Sequence, residues 1–163
     1  MKCVKVAAAI ALCLGMGQAF AAQTCGTPTA LTQAGVTGVN GCGETDTVST
    51  LCVFNANPSP DTVFSFTLAA GFTATAISLV NHTGTFTPQM ILQVACGDST
   101  DCTATSPASS AGGNTALTLT GTAPGAYFLI VDGSSTSSAT DCGSFDLTLD
   151  GTLPVQLQKF SVD

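Results

Sequence analysis

The stretch CGDSTDC, residues 96–102, gathers two cysteines and two aspartates into seven positions. Three chemistries suit that set: a metal clamp, a redox switch, or a turn closed by a disulfide. The compartment chooses between them. Lys2 and Lys5 precede an apolar run from Val6 to Met16, and Gln18-Ala19-Phe20-Ala21 ends in a small-x-small pattern. That order is the layout of a signal peptide cleaved after Ala21, so the chain reads as secreted to the periplasm, the cell surface or the medium. The run is about half of the roughly 20 apolar residues that a spanning helix needs, so no integral membrane segment is expected once the leader is gone. Cys3 and Cys13 leave with it, and Cys25, Cys42, Cys52, Cys96, Cys102 and Cys142 remain. Six is an even number in an oxidising compartment, which predicts three disulfides.

Connectivity does not follow from the count, since six cysteines permit 15 pairings. Closeness in sequence pairs Cys96 with Cys102 and Cys42 with Cys52, and leaves Cys25 for Cys142. On the chain-entropy account the short closure at 96–102 would be worth roughly 2–2.5 kcal/mol and the long one roughly 5 kcal/mol. CGDSTDC then reads as a stapled turn, with Gly97, Asp98 and Asp101 supplying turn chemistry.

Catalytic parts are scarce, and no enzyme is expected. The single histidine, His82, sits in VNHTG, a turn context, and Glu44 is the single glutamate. There is no G-x-S-x-G elbow. A carboxylate pair could serve glycoside hydrolysis, but nothing in the pattern sets two acids apart for it. Zinc would need a compact Cys/His set, and the six cysteines contain no C-x-x-C. Asn81-His82-Thr83 fits the N-x-T acceptor pattern, but the leader is of bacterial type and the match reads as chance. No cofactor is expected; calcium is the one cation worth weighing, because hard oxygen ligands suit it. Asp46, Asp61, Asp98 and Asp101 are the candidate ligands. Against them, the acids are spread singly through different segments with no D-x-D-x-D run.

After leader removal ten acids face one lysine, Lys159, with no arginine, a net charge near −9. Such a surface repels a phosphate backbone, which excludes nucleic acid as a partner. It disfavours anionic membranes for the same reason.

The elements that must position these residues are strands. Thr, Ser, Gly, Ala and Val dominate, a composition poor for helices and suited to a pleated, half-buried surface. In DTVFSFTLAAG, Phe64, Phe66 and Leu68 share one face, and Val63, Ser65 and Thr67 the solvated other. SFDLTLDG repeats the pattern with Phe145, Leu147 and Leu149 inward. PQMILQVAC puts Met90, Leu92, Val94 and Cys96 on one side. NTALTLTG offers Leu117 and Leu119. GAYFLIVDG is apolar on both faces and reads as a central strand. FTATAISLVN reads as a strand whose phase the pattern does not settle; a bulge near Ala76-Ile77 would explain it. Gly/Ser/Asn/Pro-rich turns separate these runs. The fold class predicted is all-β: an antiparallel, disulfide-stapled β-sandwich.

PDTVFSFTLAAGFTATAISL, the apolar strand MILQVAC, then ALTLTGTAPGAYFLIVDG and GSFDLTL together resemble the bacterial pre-peptidase C-terminal domain. That family's outline is an aspartate before an F-T-L-x-A-G strand, a G-x-Y-x-x-x-V strand and a closing aromatic x-L-T-L strand. Residues 61–150 span it. The resemblance implies a jelly-roll-like sandwich that accompanies secreted hydrolases and surface proteins and is a binding or accessory module. Some relatives bind calcium or polymers such as collagen. The domain layout expected is a signal peptide over 1–21, a sandwich over 22–152 and a C-terminal strand or tail over 153–163. In that tail, LPVQLQKFSVD, Pro154 suits a strand start or an edge. The function expected is a secreted, non-enzymatic module that binds an extracellular polymer or surface protein. The alternative is a structural surface protein that assembles with itself through the tail.

Overall fold

The computed structural model describes residues 24–48, 52, 58–135 and 139–152. The signal peptide expected over 1–21 and the tail expected over 153–163 lie outside the described residues. Among those described, nine strands form: β1 (Thr29–Ala30), β2 (Val36–Asn40), β3 (Thr62–Leu68), β4 (Ala76–Asn81), β5 (Pro88–Gln93), β6 (Ala104–Thr105), β7 (Thr115–Thr118), β8 (Gly125–Gly133) and β9 (Ser144–Asp150). One sheet has the order β1-β3-β8-β5-β6 and the other β2-β9-β4-β7. Every ladder is antiparallel except the short β1–β3 pair. From β2 to β5, and again from β6 to β9, each successive strand crosses to the other sheet. This is the double Greek-key winding of a jelly roll.

Alternation explains the layers. Phe64, Phe66 and Leu68 of β3, Leu129 and Val131 of β8, and Met90 and Leu92 of β5 meet Ile77, Leu79, Leu117, Phe145 and Leu147 of the opposite sheet. Phe145 lies edge-on to Phe64, with centroids 6.4 Å apart and planes at 76°, a favoured aromatic geometry. Tyr127 is buried among them and its hydroxyl donates to Ala123 O at 2.8 Å. The core positions read from β3, β7 and β9 are where the pattern put them. On β4 the alternation slips by one between buried Ala74 and buried Ile77. There Thr75 donates to Asp150 O and accepts from Leu119 N.

Three expectations are corrected. Val63 is fully buried, so β3 has no solvated face along its first half. Val63, Ile91 and Ile130 form a second apolar layer on the outside of their sheet, covered by Val48 and the half-cystines Cys25, Cys52 and Cys96. Val94 does not join Met90 and Leu92: β5 ends at Gln93 and Val94 is 58% exposed. The disulfides are Cys25–Cys96, Cys42–Cys142 and Cys52–Cys102, with Cα–Cα distances of 5.6, 5.0 and 5.6 Å. None of the pairings predicted from closeness (96–102, 42–52, 25–142) is present.

The reason lies in the outer layer. The segment before β3 must be held down over Val63, Ile91 and Ile130, and Cys25 and Cys52 belong to that cover. Their partners Cys96 and Cys102 flank the turn after β5, so two bonds tie the cover to the sheet beneath. The bridges span 71, 100 and 50 residues. Closures of that length are each worth about 4–5 kcal/mol on the chain-entropy account, roughly twice a six-residue loop. Three disulfides place the folded chain in an oxidising, extracellular type of compartment. No helix among the described residues is long and apolar enough to cross a membrane.

Candidate functional site

The four aspartates considered as calcium ligands fall in two places. Asp98 and Asp101 occupy the turn after β5, where both are spent on their own backbone. Asp98 Oδ1 accepts from Thr100 N at 2.8 Å and Thr100 Oγ1 at 2.7 Å. The Thr100 amide and hydroxyl hold the Asp98 carboxyl below its ordinary range. Asp101 Oδ2 accepts from Val94 N at 2.5 Å and Ala95 N at 2.6 Å, which ends β5 by replacing a neighbouring strand. Beneath them Gln93 is fully buried; it donates to Asp98 O and accepts from Gly97 N, both at 2.8 Å. Gly97 has φ +79°, where a side chain is disfavoured, and a Cβ there would lie 3.6 Å from Cys25 Sγ. CGDSTDC is thus a self-bonded turn anchored at both ends to other segments.

Asp46 and Asp61 lie on either side of the covering loop. Asp46 is exposed; Asp61, just before β3, is 1% exposed. Asp61 Oδ2 accepts from Thr47 N at 2.8 Å and Val48 N at 2.7 Å, and this bond seats Val48 on the outer apolar layer. Asp61 Oδ1 is buried with no hydrogen-bond partner among the described residues. Burial pushes the Asp61 carboxyl up to about 6; the Thr47 and Val48 amides oppose the rise and the nearby Asp46 charge adds to it. Gln89 of β5 pairs with Asp132 of β8, and Asp61 stands one step beyond the Thr62–Val131 pair on the other flank of β8. A row of buried polar side chains, Asp61, Asp132 and Gln89, therefore closes one end of the outer layer. The spacing could not reveal it, because the acids are 71 residues apart and meet only through the β3–β8 register.

Among the described residues no group of three or more His, Cys, Asp or Glu side chains is placed to hold a metal ion. The two aspartate pairs do not combine into one ligand set.

His82 is exposed at the end of β4, where its Nε2 lies 2.9 Å from Asp146 Oδ2 on β9. Asp146 Oδ1 accepts from Gly38 N at 2.7 Å. That amide, and then His82, lower the Asp146 carboxyl from its ordinary value. Gly38 has φ +66° and sits where the β2–β9 register shifts, so the aspartate braces a bulge. Asn81 is also structural: its amide nitrogen donates to Phe86 O at 3.0 Å, and its oxygen accepts from Thr83 N at 2.9 Å.

Shallow clefts open on the surface of the described residues, and two of them border the sites above. One, of about 380 Å³, is lined by Thr85, Thr87, Ser135, Thr140 and Asp141. Asp141 is committed to Thr87 N at 2.9 Å, to the Thr87 hydroxyl and to Ser135 N at 2.9 Å. Its carboxylate therefore orients a hydroxyl-rich wall. The other cleft, of about 400 Å³, lies over β4 and β7 and is lined by Ser78, Leu79, Val80, Asn114, Thr115 and Ala116. Sequence reading missed both, because each is assembled from segments that meet only across strands.

Compared with known proteins, the chain matches no family profile, no curated protein and no solved structure.

Proposed function

We propose that this chain is a secreted, non-enzymatic β-sandwich module that binds an extracellular polymer or surface partner carrying positive charge. One observation carries the reading, the character of the surface. The three basic residues of the chain, Lys2, Lys5 and Lys159, all lie outside residues 24–152, which hold nine of the ten acids. A field of one sign attracts cationic partners and speeds their encounter. The cleft beside Asp141 presents hydroxyls, and the large aromatic core side chains Phe64, Phe66, Phe86, Tyr127 and Phe145 are buried. Hydrogen bonding and charge, rather than ring stacking, would therefore govern recognition. The resemblance to pre-peptidase C-terminal domains supports an accessory binding role, and the leader-like start supports export.

The test is co-sedimentation of residues 22–163 with insoluble chitosan, cellulose and collagen fibrils at low and physiological salt. We expect retention on the cationic polymer that weakens as salt screens the charges. Retention by none of the three, or salt-independent retention on cellulose alone, would overturn the reading. A second reading, a self-assembling surface protein, is favoured by one specific feature, the open edge of β7.

A further inference from the structure

The two sheets have four edges, and three are poor templates for another strand. β1 and β6 are two residues long. β2 is interrupted by the register shift at Thr37-Gly38. β7 is different. It is regular over four residues, Thr115-Ala116-Leu117-Thr118, with no charge and no proline. Charges, prolines and bulges are the usual devices that protect an edge. Leu119 N donates to Thr75 O at 2.8 Å, which sets the phase of the ladder. Thr115 and Leu117 bond β4, and Ala116 and Thr118 turn their N–H and C=O groups away from it. Among the described residues β7 pairs with β4 alone, and no strand lies on the side those groups face. Beside this edge lies the cleft over Ser78–Val80 and Asn114–Ala116, where Val80 is 40% exposed.

We infer that the edge of β7 and its cleft form a strand-addition site for the C-terminal segment, residues 153–163, of a second copy of this chain. The inference deepens the self-assembly reading by naming its site and occupant. Strand addition takes affinity from main-chain bonds and specificity from alternate side chains. The segment LPVQLQKFSVD supplies Val155 and Leu157 at alternate positions, and carries Lys159, the one cation left after leader removal.

Reach favours a second copy over the chain's own tail. Thr152 still lies along the β9 direction, its carbonyl accepting from Thr73 N at 3.0 Å. A new strand beyond β7 lies three strand spacings from β9, about 14 Å. Crossing that distance and turning back consumes about five residues at roughly 3.3 Å each. Val155 and Leu157 would be used up in the crossing. In a second copy the whole segment, about 36 Å when extended, is available.

The experiment is light scattering across a concentration series on residues 22–163, residues 22–152, and two variants of the longer chain. Ala116→Pro removes one outward N–H from an edge position, where proline is tolerated. The double variant Val155→Asp, Leu157→Asp changes the tail and none of the described strands. We expect concentration-dependent self-association of the longer chain, abolished by truncation and by each variant, with melting temperatures within the range of a folded sandwich. Synthetic peptide 153–163 added to residues 22–152 should shift the amide resonances of Ser78–Val80 and Asn114–Thr118. A longer chain that stays monomeric, or association that survives truncation, would overturn the inference. So would a monomer whose Ala116 and Thr118 amides are protected from exchange only when its own tail is present. If Ala116→Pro fails to fold, the tail variant and the peptide decide. A monomer that still sediments with chitosan would remove this inference and leave the binding function standing.

Discussion

Replacing Asp61 by Asn should make the sandwich more stable at neutral pH relative to its behaviour in acid. Asp61 is 1% exposed with one oxygen lacking a partner among the described residues, and its carboxyl is raised from 3.8 to about 6. A raised folded value means that the native state holds the proton more tightly than the unfolded chain. The associated stability is fully present below the unfolded value and is lost as pH climbs through the folded one. The window is therefore about pH 4 to 6. A shift of roughly two units corresponds to about 3 kcal/mol. Asparagine carries no charge at any pH, so the stability difference between Asp61→Asn and the parent should rise by about 3 kcal/mol from pH 4 to pH 7. In a chain of this size that is on the order of 10 °C in melting temperature. The difference curve is the measurement to make, because carboxylates that do not interact with Asp61 contribute alike in both proteins and cancel. Circular-dichroism melts at closely spaced pH values would give it. A flat curve, or one that falls with pH, would refute the reasoning. It would mean that the Thr47 and Val48 amides stabilise the carboxylate more than burial penalises it.

Non-reducing peptide mapping of the exported protein should recover three crosslinked pairs, 25 with 96, 42 with 142 and 52 with 102; a 96–102 link inside one peptide would contradict the fold. Replacing Cys42 and Cys142 together by serine should cost about 2–5 kcal/mol in denaturant unfolding. Asp101→Ala leaves the amides of Val94 and Ala95 without their acceptor and should cost about 1–3 kcal/mol, with faster hydrogen exchange at both residues. Millimolar calcium should leave the melting temperature where magnesium leaves it. Ligand binding to the folded state alone must raise it, so a calcium-specific rise lost in Asp46→Asn or Asp61→Asn would show that the separate aspartates do converge on a cation.

What the sequence by itself determined is what depends on neighbours along the chain. Two-residue alternation exposed β3, β7 and β9 and their inward faces, because a strand's side chains alternate whatever it pairs with. The continuous apolar run at 125–133 marked β8 as central, and it lies between β3 and β5. Cysteine parity gave three bridges. The tertiary structure alone decided which cysteines meet, that Val63 is covered, that Asp61 is buried one step from the β3–β8 ladder that holds Asp132's strand, and that β7 is an edge strand among the described residues. Each of these depends on strand order and register between segments tens of residues apart. Closeness in sequence misled at Cys96 and Cys102 for that reason. The partners of Cys96 and Cys102 are chosen by the layer that must be held over Val63, Ile91 and Ile130, and that layer exists only once β3, β8 and β5 have paired.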